Sequence, residues 1–203
     1  MNGKIYIRPL NKKDIPGIVA VHLSAFSGFF LTTLGPAFLR KYYSAVIGHK
    51  DGICIGCENS DGLIIGFAVG TRLSKGFHRN ILCRHWITFF QEGVRLLVTK
   101  PGAIVRLAKN LNKNNSGADD GLYAELLSIG VSDTTEGKGV GRSLIKQFEV
   151  AAIESGAKRI CLTTDKFDNE KIIGFYLKNG YEVYCDFITY PHRSMYKMIK
   201  NIV

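Results

Sequence analysis

From Lys4 to Leu10 apolar and polar residues alternate, a period of two that predicts a strand with one covered face. The pattern then lengthens to a helical one, and Asp14 is the expected N-cap of a helix running to about Phe26, with Pro16 tolerated in its first turn. A second helix is expected from about Pro36 to Ile47, with Phe38, Tyr42 and Ala45 on one face. Ile53 to Glu58 and Leu63 to Thr71 read as two antiparallel strands, because Asn59-Ser60-Asp61-Gly62 between them is a hairpin turn.

From about Lys75 to Lys113 the periodicity is again helical. Trp86, Phe89, Phe90 and Leu97, then Ile104, Leu107, Ala108 and Leu111, predict two helices broken near Thr99-Lys100-Pro101-Gly102. Asn112 to Gly121 is polar and reads as an exit loop. Leu122 to Val131 is a nearly continuous apolar run, as expected of a strand covered on both faces. Val140 to Ser155 follows as a helix with Leu144, Phe148, Ala151 and Ala152 on one face, stopped by Gly156. Lys158 to Thr164 is a strand and Asp168/Asn169 to Asn179 a helix stopped by Gly180; Tyr181 to Val183 and Ser194 to Ile199 form a closing strand pair. Strands alternating with helices in this order imply a mixed sheet with helices on its faces. We read residues 1–203 as a single α/β domain, with 75–116 a basic helical insertion.

Composition narrows the class. With 46% hydrophobic and 22% charged residues in 203, the chain is globular rather than disordered or fibrous. The N-terminal MNGKIYIRPL has no signal-peptide core, and no apolar run approaches the roughly 20 residues a spanning helix needs, so a cytoplasmic protein is expected. Five cysteines, an odd number, read as reduced thiols. Cys54 and Cys57 sit at an odd separation in one strand and should point to opposite faces, which argues for packing over zinc. His22, His49, His78, His85 and His192 show no ligand spacing, and no metal is expected.

The candidate chemistry lies after the apolar strand, in Val131-Ser132-Asp133-Thr134-Thr135-Glu136-Gly137-Lys138-Gly139-Val140-Gly141-Arg142-Ser143. Three glycines at alternate positions clear the backbone for a phosphate, and the helix beginning there offers free N–H groups and a favourable dipole. Lys138 and Arg142 add positive charge, so the site suits a pyrophosphate. A Rossmann fingerprint would need glycine where Arg142 or Leu144 stands, and a P-loop would need it at Ser132, so neither motif is present.

Glu136-Gly137-Lys138-Gly139-Val140-Gly141 resembles the acyl-CoA-binding motif Q/R-x-x-G-x-G/A of the GNAT superfamily of N-acetyltransferases, with Glu136 in place of Gln or Arg. Ile129-Gly130-Val131 looks like the end of that family's fourth strand. Asn169 seven residues before Tyr176, followed by Gly180 and Tyr181, is similar to its second signature, and Ile7-Arg8-Pro9-Leu10 with Asp14 resembles its usual opening. The resemblance implies a mostly antiparallel central sheet with helices on both faces, the insertion falling between the third and fourth strands. It also implies acetyl-CoA as acyl donor, held by Ile129, Gly130, Val131, Glu136, Gly137, Lys138, Gly139, Val140, Gly141, Arg142, Ser143, Asn169 and Tyr176.

Acetyl transfer to an amine needs a neutral nucleophile, a stabilised oxyanion and a proton for the departing thiolate. The resemblance places Tyr176 near the sulfur, as proton donor, and backbone N–H groups around Ile129 to Val131 near the carbonyl. Glu125, at even spacing from Ile129 and Val131, is the candidate base.

The charge is concentrated elsewhere. Lys75 to Lys113 holds eight Lys and Arg residues against Glu92 alone, most of the chain's net +10. Such a segment fits a membrane surface, an acceptor clamp or a solvated flank. The resemblance implies a place near the acceptor side, which favours a clamp in which Arg79, Arg84 and Arg95 meet an anionic small-molecule amine such as a nucleotide-linked amino sugar. A peptide or protein N-terminus as acceptor, and a non-catalytic acyl-CoA-binding regulatory module, are the alternatives. Nucleic acid is not expected, since no groove-reading or stacking motif joins the cations. A monomer or homodimer, with peripheral membrane contact at most, completes the expectation.

Overall fold

The computed structural model describes residues 4–102, 109, 120–135 and 137–202. Seven strands form one sheet: β1 (Tyr6–Pro9), β2 (Gly52–Glu58), β3 (Ile64–Thr71), β4 (Ala124–Val131), β5 (Arg159–Asp165), β6 (Glu182–Thr189) and β7 (Arg193–Asn201), in the order β1-β2-β3-β4-β5-β7-β6. Only β4 and β5 run parallel. Among the described residues the helices are α1 (Ile15–Ala25), α2 (Phe30–Thr33), α3 (Pro36–Ile47), α4 (Phe77–Arg84), α5 (Trp86–Thr99), α6 (Val140–Glu154) and α7 (Glu170–Lys178).

The expected elements are present with instructive differences. Helix α3 has the expected bounds, whereas α2 was too short for any periodicity to show. Strands β6 and β7 extend well beyond the expected pair, because β6 is an edge strand exposed along most of its length and carries no inside–outside alternation. Asp14 does not cap α1 with its side chain. Asn11 instead opens a 3₁₀ turn at Lys12–Asp14, and Asp14 receives the Asn11 amide and the Arg8 guanidinium. Arg8 also binds Glu58 at 2.7 Å, joining β1, β2 and the entry to α1, and its guanidinium holds the Asp14 carboxyl below the usual range. Helices α4 and α5 lie between β3 and β4; the second helix expected there, with Ile104, Leu107, Ala108 and Leu111, falls outside the described residues.

Two apolar layers sandwich the sheet. On one face α6 and α7 cover Ile53, Ile55, Cys57, Ala124, Leu126, Ile160 and Leu162; on the other α1 and α3 cover Phe67 and Val69, with Cys54 and Leu127 at the margin. Cys54 and Cys57 thus face opposite layers, as their spacing requires. Leu34, Phe38 and Leu96 form a third cluster that fastens α5 to α3.

Two irregularities shape the middle of the sheet. The parallel ladder joins Ala124, Glu125 and Leu126 to Ile160, Cys161 and Leu162, and stops there. Beyond it β4 continues beside β3 and β5 beside β7, so the sheet forks. The second irregularity is a bulge: Val69 opposes Ser128 while Gly70 opposes Leu126, leaving Leu127 as an extra residue. Only glycine fits across from it, since a Cβ at position 70 would lie 2.1 Å from the Glu125 carbonyl and 2.7 Å from the Phe148 ring.

Under β3 and β4, the imidazole of His22 is buried among Phe26, Tyr43 and Phe67 and shares a 2.7 Å hydrogen bond with the Tyr43 hydroxyl. Its Nε2 has no partner among the described residues, and burial pushes its pKa down to about 4 from an ordinary 6.5. Below pH 6.5 the unfolded chain takes up a proton that the folded chain refuses, so stability is full above 6.5 and falls as pH drops toward 4. Urea unfolding at pH 7 and pH 5 should show a loss of about 2 kcal/mol from this group. In His22→Asn that pH-dependent component should vanish.

Candidate active site

The fork makes the site. Past Leu126 the edge of β4 that faces β5 has no strand partner among the described residues, which leaves peptide groups between Leu127 and Val131 along that edge free of a ladder. Ile129 and Val131 pack toward the α6 layer; Gly130 backs onto Ala25, Phe26 and Phe67, where a Cβ would already be tight at 3.1 Å from the Phe26 ring.

At the end of β4 the chain makes a 3₁₀ turn (Asp133–Thr135) and enters α6 through glycines 137 and 139, whose φ angles are +80° and +79°. That left-handed backbone disfavours any residue with a Cβ. Space around both is open, and Gly139 is an N-cap with no side chain to satisfy the first helical N–H groups. The first turn of α6 therefore presents the uncompensated N–H groups of Val140, Gly141 and Arg142 and the positive end of its dipole, while Ser143 N–H donates to the Gly139 carbonyl at 3.0 Å. Gly141 lies under the Phe175 ring, and a Cβ there would be in ordinary contact at 3.6 Å. Lys138 reaches back to the Thr134 carbonyl at 3.1 Å, bracing the loop, while Arg142 is exposed on α6. Glu136 lies outside the described residues. These features fit a pyrophosphate.

Helix α7 brings the second group of residues to the fork. Asn169 does not cap α7 with its side chain; its amide donates to Thr164 Oγ1 at 2.7 Å and to the Asp165 carbonyl at 2.9 Å, pinning α7 to the end of β5. Tyr176 is buried against Phe175 and Tyr181, and burial raises its pKa, so the phenol stays protonated at neutral pH.

Glu125 stands elsewhere than its spacing implied. The bulge at Leu127 breaks the period of two, so Glu125 shares the α1 and α3 face with Leu127, whereas Ile129 and Val131 share the opposite face with Ala124 and Leu126. Its carboxylate is half-buried, accepts the Ser74 hydroxyl at 2.5 Å, and adds to the burial that pushes the Tyr42 hydroxyl up. It sits at the closed end of the fork, where Glu125 still opposes Cys161.

Sequence reasoning missed the residues at the open end. Ser24 on α1 bonds Asp133 beyond β4 at 2.9 Å, and the Phe29 ring lies 5.1 Å beneath the Arg193 guanidinium, which is doubly bonded to Asp165 at the end of β5. The turn between α1 and α2 consequently spans the mouth of the fork. Under it lies a cavity of about 330 Å³ lined by Ser27, Gly28, Phe29, Phe30, Asp165 and Arg193. None of Arg79, Arg84 and Arg95 lines it: Arg79 and Arg84 are exposed on α4, and Arg95 binds Glu92 and the Leu34 carbonyl. The cation there is Arg193, whose partner is 28 residues away, so no local pattern could announce it.

Comparison with known proteins agrees with this architecture. The model of the acetyltransferase (GNAT) family matches residues 22–181. The ribosomal-protein-S18-alanine N-acetyltransferase of Escherichia coli superposes with a TM-score of 0.63 at 13% identity, over 98% of this chain and 94% of that one. The PaiA N-acetyltransferase of Thermoplasma acidophilum, in complex with coenzyme A, gives 0.59 at 16% identity, over 98% and 99%. Naa20 of Chaetomium thermophilum, in complex with a bisubstrate analogue, gives 0.59 at 19% identity, over 97% and 86%. No curated protein matches the sequence significantly. With the family model covering most of its length and the fork, glycine turn and uncapped helix in place, the chain belongs to the GNAT acetyltransferase family.

Proposed function

We propose that the protein transfers an acetyl group from acetyl-CoA to the primary amine of a small molecule, such as an amino sugar, within one ternary complex. The observation that carries this reading is the fork itself. It joins an anion-binding helix terminus on the α6 face to a small cavity on the α1 face. Acetyl-CoA, when bound, supplies the activated acyl group.

The chain's own residues divide the work. The Gly137 to Ser143 turn binds the pyrophosphate, chiefly through the free N–H groups of Val140, Gly141 and Arg142 and aided by the Lys138 and Arg142 side chains. Asn169 keeps α7 against β5, and peptide N–H groups from Ile129 to Val131 polarise the acyl carbonyl. Tyr176, held protonated by burial, gives its phenolic proton to the leaving sulfur. Glu125, brought to the acceptor face by the bulge, takes the ammonium proton through water. At the cavity, Asp165 and Arg193 present one negative and one positive group to the acceptor. An extended peptide needs a longer groove than this one, and the cavity of about 330 Å³ matches the lower end of small-ligand sites.

Three measurements test the scheme. Gly139→Val forces a Cβ onto a left-handed backbone, and isothermal titration should show acetyl-CoA binding weakened at least about tenfold with the fold retained by circular dichroism. Tyr176→Phe should lower kcat about 100-fold with acetyl-CoA affinity unchanged, read by free-thiol release across pH; full rate at every pH would remove Tyr176 as proton donor. Arg193→Gln should raise acceptor KM about tenfold and leave acetyl-CoA KM unchanged, in an assay comparing nucleotide-linked amino sugars with peptides. Turnover of peptides alone would reassign the acceptor, and binding without any thiol release would make the protein a regulatory acyl-CoA module.

A further inference from the structure

Helix α5 has two unlike faces. One carries Leu96 and Phe89 into the cluster with Leu34 and Phe38, and buries Glu92, whose carboxylate binds Lys41 at 2.6 Å and Arg95 at 2.8 Å. The other carries Trp86, Ile87, Phe90, Val94, Leu97 and Val98, all large and all exposed, with Trp86 at 62%, Phe90 at 64% and Val98 at 81%. At about 100° per residue these six fall within an arc of about 120°, and at about 1.5 Å per residue the stripe runs about 18 Å. Scattered surface apolar residues are ordinary; a contiguous stripe with two aromatics marks a contact surface.

Charge decides the occupant. Residues 15–50, which hold α1, α2 and α3, contain Arg40, Lys41 and Lys50 and no Asp or Glu. Residues 75–102, which hold α4 and α5, contain Lys75, Arg79, Arg84, Arg95 and Lys100, and their one carboxylate is the buried, doubly paired Glu92. The helical layer around the stripe therefore offers cations and no exposed carboxylate. A second copy docking stripe to stripe would bring two such like-charged layers together without compensation. An anionic lipid surface is complementary in both respects, taking aromatic and aliphatic side chains at the acyl boundary and the cations at its headgroups. We propose that the α5 stripe, together with the exposed Arg79 and Arg84 of the preceding helix α4, docks the protein on an anionic membrane surface.

The test uses the chain's own reporter, since Trp86 is its only tryptophan and lies in the stripe. The full-length protein is mixed with vesicles of phosphatidylglycerol and phosphatidylcholine, or of phosphatidylcholine alone. Tryptophan emission and co-sedimentation are followed, with protein concentration varied in a lipid-free series. Anionic vesicles should shift the emission to the blue and pull down the protein at least about tenfold better than neutral ones, an advantage lost in high salt. Phe90→Ser combined with Val98→Ser, both exposed and so neutral to folding, should abolish the shift, and Arg79→Glu with Arg84→Glu should reduce binding about tenfold or more. No response to vesicles, or an equal response to both kinds, overturns the proposal. So does a lipid-free emission that is already blue, which assigns the stripe to self-association if it depends on protein concentration and to cover by the chain itself if it does not. Because soluble-amine acetylation is not read here, failure of the docking surface and failure of the proposed enzyme activity remain distinguishable.

Discussion

Two strands that run parallel for three residue pairs and then part are the constraint on which the rest of this molecule turns. A parallel pair needs a crossover, and here the crossover is α6, whose N-terminus necessarily lies at the end of β4. Parting the strands opens backbone donors of β4 at the same end. One topological fact therefore sets an unpaired strand edge beside a positive helix terminus, and the two together accept a ligand that carries both phosphates and amide groups. The glycines at 137 and 139 add the local condition, a left-handed approach that lets the chain turn from strand to helix without a side chain in the way.

Much of this was legible from residue order, because its causes are local. The hairpin announces itself through Asn59 to Gly62, α3 through Pro36 and its amphipathic spacing, and the glycine turn through alternate residues without a Cβ. The remainder depends on contacts far apart in sequence. Nothing between Ala124 and Val131 signals the bulge; the residue across from it is Gly70, fifty-odd positions earlier on the neighbouring strand, where a Cβ would meet the Glu125 carbonyl and the Phe148 ring. Asp14 has the chemistry of an N-cap, yet a bidentate hydrogen-bonded pair with Arg8 outweighs a single capping bond. The Asp165 and Arg193 pair escapes for the same reason as the bulge.

The net charge of +10 proves to be a sum of unrelated quantities. At the start of α6 the positive feature is a helix terminus with bare N–H groups, and a single paired arginine is the cation that lines the cavity. The larger share lies on the helical layer, and none of its arginines lines the cavity. Burying Glu92 beneath α5 sharpens that separation, since it spends the layer's one carboxylate on internal neighbours and leaves no acidic group among the exposed side chains of α4 and α5.

The extra residue in β4 has one more consequence. A strand behaves as a two-position clock, and Leu127 advances it by half a cycle, so side chains before and after it obey opposite rules of address. Removing that single residue would leave the strand nearly as long and its composition nearly as apolar. Yet every side chain on one side of the deletion would exchange the α1 and α3 face for the α6 and α7 face. In this sheet, phase rather than identity determines which layer a residue meets.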